Sequence, residues 1–225
     1  MNLKIQKINH RLNLARMVGA RISMRRFANR YGLVYFGGVD SYSEDHKLVQ
    51  GMTASAEHLD NHYCIGNVGG YDLILLERSD THKFPGRPSK YYRWIILQID
   101  LKPAGKPLPH VVIEGRHHDD TFFANLFIKH AHLRPVHAGF FVGHEPQFIN
   151  HFSVYTSPGD VARLPAILTP DITAAIGRHY QRLDFEMSHD TLWVYASNLV
   201  ITKSSLDAIL KAGLWLAGAL ERNPL

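Results

Sequence analysis

Alternating hydrophobic and polar positions predict a run of β-strands in the first half of the chain. The clearest signal is a pair of strand patterns, 62–68 and 71–78, on either side of Gly69 and Gly70. Glycine accepts the positive φ angles of a two-residue turn, so this segment predicts a β-hairpin. Because short connections link it to further strand patterns, residues 62–114 predict a four-stranded antiparallel meander. The other strands predicted in this half are 33–36, 91–101 and 109–114.

The second half of the chain alternates between strand and helix patterns. Thr169, Pro170 and Asp171 provide a capping hydroxyl, a proline in the first turn and an acid near the positive helix end, so they predict a helix start. The other elements predicted here are strands at 140–142, 152–156, 183–187 and 191–196 and helices at 169–181 and 204–222. The pattern predicts an α+β fold with a mainly antiparallel sheet, built from an N-terminal meander and a C-terminal β-α-β-β-α unit.

The N-terminal segment predicts an amphipathic helix over residues 3–31, and Gly32 suits its end. Its apolar positions recur at helical spacings and form one stripe. The members of this stripe are Ile5, Ile8, Leu12, Ala15 and Ile22. The expected organisation is a basic amphipathic helix at 1–31 followed by a single α+β domain at 32–225.

Charge is distributed unevenly along the 225 residues, although the net charge is only +5. Residues 1–32 contain eight basic residues and no acidic one, which leaves 17 basic against 20 acidic residues in the rest of the chain, a balance of −3. The eight are Lys4, Lys7, Arg11, Arg16, Arg21, Arg25, Arg26 and Arg30. Such a segment attracts phospholipid headgroups, nucleic-acid backbones or an acidic protein. Alternatively, the apolar stripe packs on the chain's own sheet and the bases form a solvated face.

Cysteine usage and hydropathy bear on the compartment. Cys64 is the only cysteine, which excludes an internal disulfide and any zinc site with two thiolates. No run of about 20 apolar residues predicts a membrane span, and the N-terminus lacks the apolar core of a signal peptide. We expect a cytoplasmic protein, with a peripheral position at the inner membrane face as the open alternative.

The cluster His117, His118, Asp119 and Asp120 offers imidazole and carboxylate ligands that zinc, manganese or iron could take. The alternative is a polar loop whose aspartate caps a helix. Four further histidines lie nearby in the sequence, namely His110, His130, His132 and His137. A helix starting at 119–120 would place His130 and His132 more than two turns from the cluster, so the two groups could not share one ion through that helix.

Other candidate sites carry weaker signals. His58 and His62 have the i, i+4 spacing of a metalloprotease helix, but Leu59 occupies the position of the required glutamate. His189 and Asp190 fall in a predicted hairpin turn. The chain contains neither a Gly-x-Ser-x-Gly elbow nor a Gly-x-x-x-x-Gly-Lys-Ser/Thr phosphate loop, and we predict no cofactor.

Five segments resemble an uncharacterised bacterial family that is known only as a domain of unknown function. The segments are 31–36, 62–78 with its Gly-Gly-Tyr-Asp turn, 94–112, 168–172 and 185–195. The resemblance covers about residues 27–222. It implies an N-terminal transmembrane helix in many members, where this chain has its basic segment, and it implies no catalytic residue.

The sequence therefore favours a non-enzymatic interaction domain that docks on an anionic surface through its eight N-terminal bases. The surface can be a membrane face, a nucleic acid or an acidic partner. The alternative is a metal-dependent hydrolase that uses His117, His118, Asp119 and Asp120.

Overall fold

The computed structural model describes residues 2–38, 49–54, 58–82, 90–102, 107–116 and 130–222. In the first helix, side chains are described from Met17 onward. The α-helices of these residues are α1 (Asn2–Tyr31), α2 (Pro146–His151), α3 (Leu164–Ile167), α4 (Pro170–His179) and α5 (Lys203–Arg222). Two 3-10 helices, Ala138–Phe141 and Pro158–Arg163, lie before α2 and before α3.

Nine strands of the described residues form one antiparallel sheet at the centre of the protein, with the order β1-β2-β3-β4-β9-β8-β5-β7-β6. The strands are β1 (Val34–Gly38), β2 (Leu59–Val68), β3 (Tyr71–His82), β4 (Lys90–Asp100), β5 (Leu108–Gly115), β6 (Arg134–Pro135), β7 (Phe152–Thr156), β8 (Asp184–His189) and β9 (Thr191–Ser197). The predicted α+β fold with a mainly antiparallel sheet is confirmed.

The order of the strands differs from the predicted four-stranded meander at one point. β2, β3 and β4 follow one another, but the β8–β9 hairpin lies between β4 and β5. Residues 184–187 and 192–196 are all buried, as expected for strands that are covered on both faces. The hydrophobicity of this hairpin thus reflects its central place in the sheet.

Of two local predictions in the second half of the chain, one is wrong and one is confirmed. The predicted strand at 140–142 is wrong, because Ala138–Phe141 forms a 3-10 helix. His137 stabilises this turn, since its Nδ1 accepts a hydrogen bond from the Gly139 amide at 3.1 Å. The predicted helix start at Thr169 is confirmed, since its hydroxyl accepts a hydrogen bond from the Ile172 amide.

The helices α1, α4 and α5 cover one face of the sheet and close the larger hydrophobic core. α5 lies against β4 and β9 so closely that a Cβ on Gly213 would lie 2.6 Å from the Leu97 side chain. α1 contributes Ala20, Met24, Phe27 and Ala28, which are all buried. Residues 20–28 therefore belong to the same core as the sheet.

The second face of the sheet carries a smaller core and several buried polar groups. Val49, Met52 and Leu133 pack there against side chains of the central strands, including Ile96 and Trp193. No described helix packs on this face; residues 49–54 and 130–133 lie over it instead. The buried polar groups of this face form the candidate site described next.

Candidate functional site

Three histidine rings from two separate segments meet on the second face of the sheet. His110 lies in β5, whereas His130 and His132 lie in the turn before β6. One ligand nitrogen of each ring lies within 4.8 Å of the other two. Leu133 is buried, and its amide donates to the His130 carbonyl at 2.9 Å, so the turn is anchored beside β5.

Glu186 of β8 fixes the orientation of the His110 ring. Its Oε1 lies 2.7 Å from His110 Nε2, and its side chain is only 2% exposed. The second carboxylate oxygen accepts hydrogen bonds from the Met52 amide at 2.7 Å and from the Tyr195 hydroxyl. In the tautomer of His110 that donates from Nε2 to this carboxylate, Nδ1 keeps its lone pair.

The other nitrogen of His110 points at a second imidazole. His110 Nδ1 lies 3.0 Å from His132 Nε2. Burial, and secondly the neighbouring His110, lower the pKa of His132. A neutral ring with a free lone pair is the form that binds a metal ion.

Tyr195 stays protonated beside Glu186. Burial, followed by the charge of Glu186, raises the pKa of the Tyr195 hydroxyl well above its usual value, so this hydroxyl stays a donor to Glu186.

The predicted cluster His117, His118, Asp119 and Asp120 lies outside the described residues, so the hydrolase that would use it stays a prediction. The structure gathers instead His110, His130 and His132. His137 is not part of the group, because its ring caps the 3-10 helix at Gly139. Sequence reasoning missed Glu186, although an acidic residue between Phe185 and Met187 was a signal for a buried polar role.

His58 and His62 do not form the metal-binding pair that their spacing suggested. His58 Nε2 lies 3.7 Å from Asp60, whereas His62 Nδ1 lies 2.8 Å from the Tyr35 hydroxyl. His58 lies just before strand β2 and His62 lies within it, so the two residues do not share a helix face. The pairing of β2 with β3 is also irregular between Asn61 and Cys64.

Cys64 is a buried core residue. Burial raises the pKa of its thiol to about 12. His189 lies at the predicted turn of the β8–β9 hairpin with a positive φ of 58° and contacts Ser188 Oγ at 2.9 Å. Asp190 is exposed, so this pair belongs to a turn.

The N-terminal bases fall into two groups in the structure. Lys4, Lys7, Arg11 and Arg16 lie in α1 ahead of the described side chains. Arg21, Arg25, Arg26 and Arg30 are exposed. Arg30 pairs with Asp207 of α5 at 2.6 Å. Among the residues with described side chains, no carboxylate pairs with Arg21, Arg25 or Arg26.

The outward face of α1 combines positive charge with apolar side chains. Val18, Arg21, Ile22 and Arg25 follow the helical spacing of three, four and seven, so they share one face. Val18 is 52% and Ile22 is 45% exposed. Ile22 is a member of the predicted apolar stripe, and its exposure disagrees with the alternative in which that stripe packs on the sheet, because α1 packs through Ala20, Met24, Phe27 and Ala28.

A groove of about 880 Å³ opens between α4 and α5. Trp215, Tyr180 and Leu199 form its apolar part, and Arg182, Lys211 and His179 lie at its polar part. The groove lies on the helical face of the sheet, so it is separate from the histidine cluster.

Comparison with known proteins identifies a solved structure of similar fold. No protein-family model matches the chain, and no curated protein is similar to it. The chain is similar to the crystal structure of the mycobacterial trehalose monomycolate transport factor A, TtfA, with a TM-score of 0.59 and 10% identity over 92% of this chain and 97% of that one. At this identity the likeness concerns the fold alone. These results are consistent with the resemblance to an uncharacterised family.

The comparison with a transport factor raises the question of a membrane span. Within the described residues, no helix is both long enough and apolar enough to cross a bilayer. α1 extends over 30 residues, but basic side chains interrupt it throughout.

Proposed function

We propose that the protein is a non-enzymatic interaction domain that docks on an anionic membrane surface through α1. The observation that carries the proposal is the outward face of α1, where Arg21 and Arg25 alternate with exposed Val18 and Ile22. This docking would place a cytoplasmic protein at the inner membrane face.

Charge is the first support. Among the residues whose side chains are described, no carboxylate pairs with Arg21, Arg25 or Arg26. Lys4, Lys7, Arg11 and Arg16 precede them on the same helix. A basic group near an anionic lipid surface contributes about 1 kcal/mol, so these three arginines contribute about 3 kcal/mol, to which burial of apolar side chains has to add for reversible binding.

The exposed apolar side chains favour a membrane over a nucleic acid. Val18 and Ile22 on the outward face are 52% and 45% exposed. Helices that lie in a membrane interface bury such side chains at the boundary between headgroups and acyl chains. A nucleic-acid backbone would use the arginines and leave these side chains in water.

The packing of α1 is compatible with this orientation. Ala20, Met24, Phe27 and Ala28 attach the helix to the sheet, and the Arg30–Asp207 pair attaches it to α5. The opposite face can therefore meet a surface while the domain stays folded.

The experiment compares binding of the full chain to phosphatidylcholine vesicles with and without phosphatidylserine. The variant Arg21→Gln/Arg25→Gln/Arg26→Gln should lose about 3 kcal/mol of binding free energy, or roughly 100-fold in affinity. Binding of the unchanged protein should weaken with added salt, because the charges are exposed. Vesicle co-sedimentation measures both effects.

A matched control removes three exposed bases elsewhere, with Arg182→Gln/Lys211→Gln/Arg222→Gln. It changes the net charge equally and should bind as the unchanged protein does. The variant Val18→Ser/Ile22→Ser distinguishes a membrane ligand from a nucleic-acid ligand, because it should weaken vesicle binding and leave any RNA binding intact. Equal vesicle binding by the triple variant of α1 and by this control, or tighter binding of the protein to RNA than to vesicles, would contradict the proposal.

A further inference from the structure

We infer that His110, His130 and His132 form a binding site for one zinc ion, with Glu186 holding the His110 ring in place. The site lies on the face of the sheet opposite α1, so the inference is independent of membrane docking. It differs from the metal site suggested by the sequence, since none of residues 117–120 is required.

The distances match a site that closes on a small ion. Two nitrogen ligands of a tetrahedral zinc ion, with Zn–N bonds of about 2.0–2.1 Å, lie about 3.3 Å apart. His110 Nδ1 and His132 Nε2 already lie 3.0 Å apart. The third nitrogen lies within 4.8 Å of both, so the His130 ring has to move closer to complete the set.

Glu186 supplies the outer contact that metal-binding histidines need. Metal-ligating imidazoles donate their second N–H to a carboxylate, carbonyl or water, which fixes the ring and makes the ligand more basic. Glu186 makes this contact at 2.7 Å on the ring edge of His110 that faces away from His132. It is itself fixed by the Met52 amide and the Tyr195 hydroxyl.

The donor set selects the metal. Three imidazoles without a direct carboxylate ligand suit zinc and the later transition metals rather than magnesium or calcium, which prefer oxygen. Structural zinc sites have four protein ligands, whereas three ligands leave a position for water. His132 is exposed, so such a position can communicate with solvent.

A hydrogen bond between His132 and His110 is the competing explanation for their short separation. That explanation accounts for two rings, but it gives no reason for a third histidine at the same point. It also predicts no affinity for a metal ion, so the two explanations give opposite results in a binding experiment.

The experiment titrates Zn²⁺ and then Co²⁺ into the full chain, purified without a histidine tag and treated with a chelator. Calorimetry should show one Zn²⁺ per chain, and Co²⁺ should produce the visible absorption of a low-coordinate site. His110→Ala, His130→Ala and His132→Ala should each abolish stoichiometric binding. Glu186→Gln should keep one ion per chain but lower the affinity about 10–100-fold and shift the Co²⁺ absorption.

Two controls address histidine number and folding. His151→Ala/His179→Ala removes two exposed histidines outside the cluster and should bind as the unchanged protein does. His132→Cys provides a positive signal, because a thiolate ligand adds a charge-transfer band to the Co²⁺ spectrum. Cys64 cannot supply that band, since it is buried.

Three results would overturn the inference. The first is the absence of stoichiometric Zn²⁺ binding by the unchanged protein. The second is a His132→Cys variant that binds Co²⁺ without a thiolate band. The third is loss of binding in His117→Ala/His118→Ala together with unchanged binding in His132→Ala, which would assign the ion to the other cluster.

Discussion

The Arg78 guanidinium is a fully buried charge on the second face of the sheet. Its Nε and Nη2 donate to the two carboxylate oxygens of Asp60 at 2.7 and 2.6 Å. The remaining donors reach the carbonyls of Val49 and Gln50 and the Thr53 hydroxyl. Arg78 therefore fastens residues 49–54 to the sheet, next to the Met52 amide that holds Glu186.

Replacing Arg78 should destabilise the protein strongly. In Arg78→Met the Asp60 carboxylate stays buried without its bidentate partner, and breaking a buried pair in this way costs about 3–5 kcal/mol. Urea unfolding measures the change. Lys203→Met is the control, because Lys203 pairs with Asp207 at an exposed position where about 0–1 kcal/mol is expected. Similar losses in both variants would show that the enclosure of Arg78 is not what matters.

Single residues also show where sequence reasoning reaches its limit. The histidines 110, 130 and 132 were visible as candidate ligands, but their meeting depends on the turn at Leu133 and on the pairing of β6 with β7. The predicted helix start at Thr169 was confirmed, because the capping contact joins residues three apart. Contacts over such short spans can be predicted from the sequence, whereas the contact of His110 with Glu186 spans 76 residues.

At the scale of elements, α1 and the sheet order illustrate the same limit. Apolar spacing predicted a helix over residues 3–31, and α1 extends from Asn2 to Tyr31. The spacing did not identify the packed face, because several faces of this helix carry apolar residues. Likewise, each strand of the β8–β9 hairpin was predicted, but its insertion between β4 and β5 depends on pairings distant in sequence.

Two substitutions in α1 distinguish its packed face from its outward face. Met24 is fully buried, whereas Ile22 is 45% exposed. Met24→Ala should lower the free energy of unfolding by about 2–5 kcal/mol because it leaves a cavity, while Ile22→Ala should change it by about 0.5 kcal/mol or less. Chemical denaturation measures both. A larger effect at Ile22 would favour the alternative in which the predicted stripe packs on the sheet.

For the whole molecule, the two faces of the sheet divide the work that we propose. The helical face holds the larger core and carries α1, whose outward side is the surface that we propose for membrane docking. The opposite face holds the buried polar groups around Glu186 and the histidine cluster. Because β5, β8 and β9 are adjacent strands of one sheet, side chains that are distant in the sequence, such as His110 and Glu186, reach the same site.

Cys64 offers a measure of whether α1 stays attached when the domain acts as a unit. Its thiol lies between β2 and α1, 3.6 Å from the Met24 carbonyl, and burial raises its pKa to about 12. The reactive thiolate is therefore scarce below that pH in the folded protein. It forms near the usual pKa of about 8.5 only when the structure around Cys64 opens.

The labelling rate of Cys64 is the measured quantity. If labelling requires full unfolding, with a typical free energy of about 5–15 kcal/mol, the labelling rate of the folded protein at pH 8 should be at least about 1,000-fold below that of the unfolded chain. Thiol labelling with a chromogenic disulfide, with and without phosphatidylserine vesicles, tests this, since Cys64 is the only cysteine. Protection in both conditions means that α1 binds the membrane while packed on the sheet, whereas rapid labelling with vesicles would mean that the helix leaves the sheet to bind.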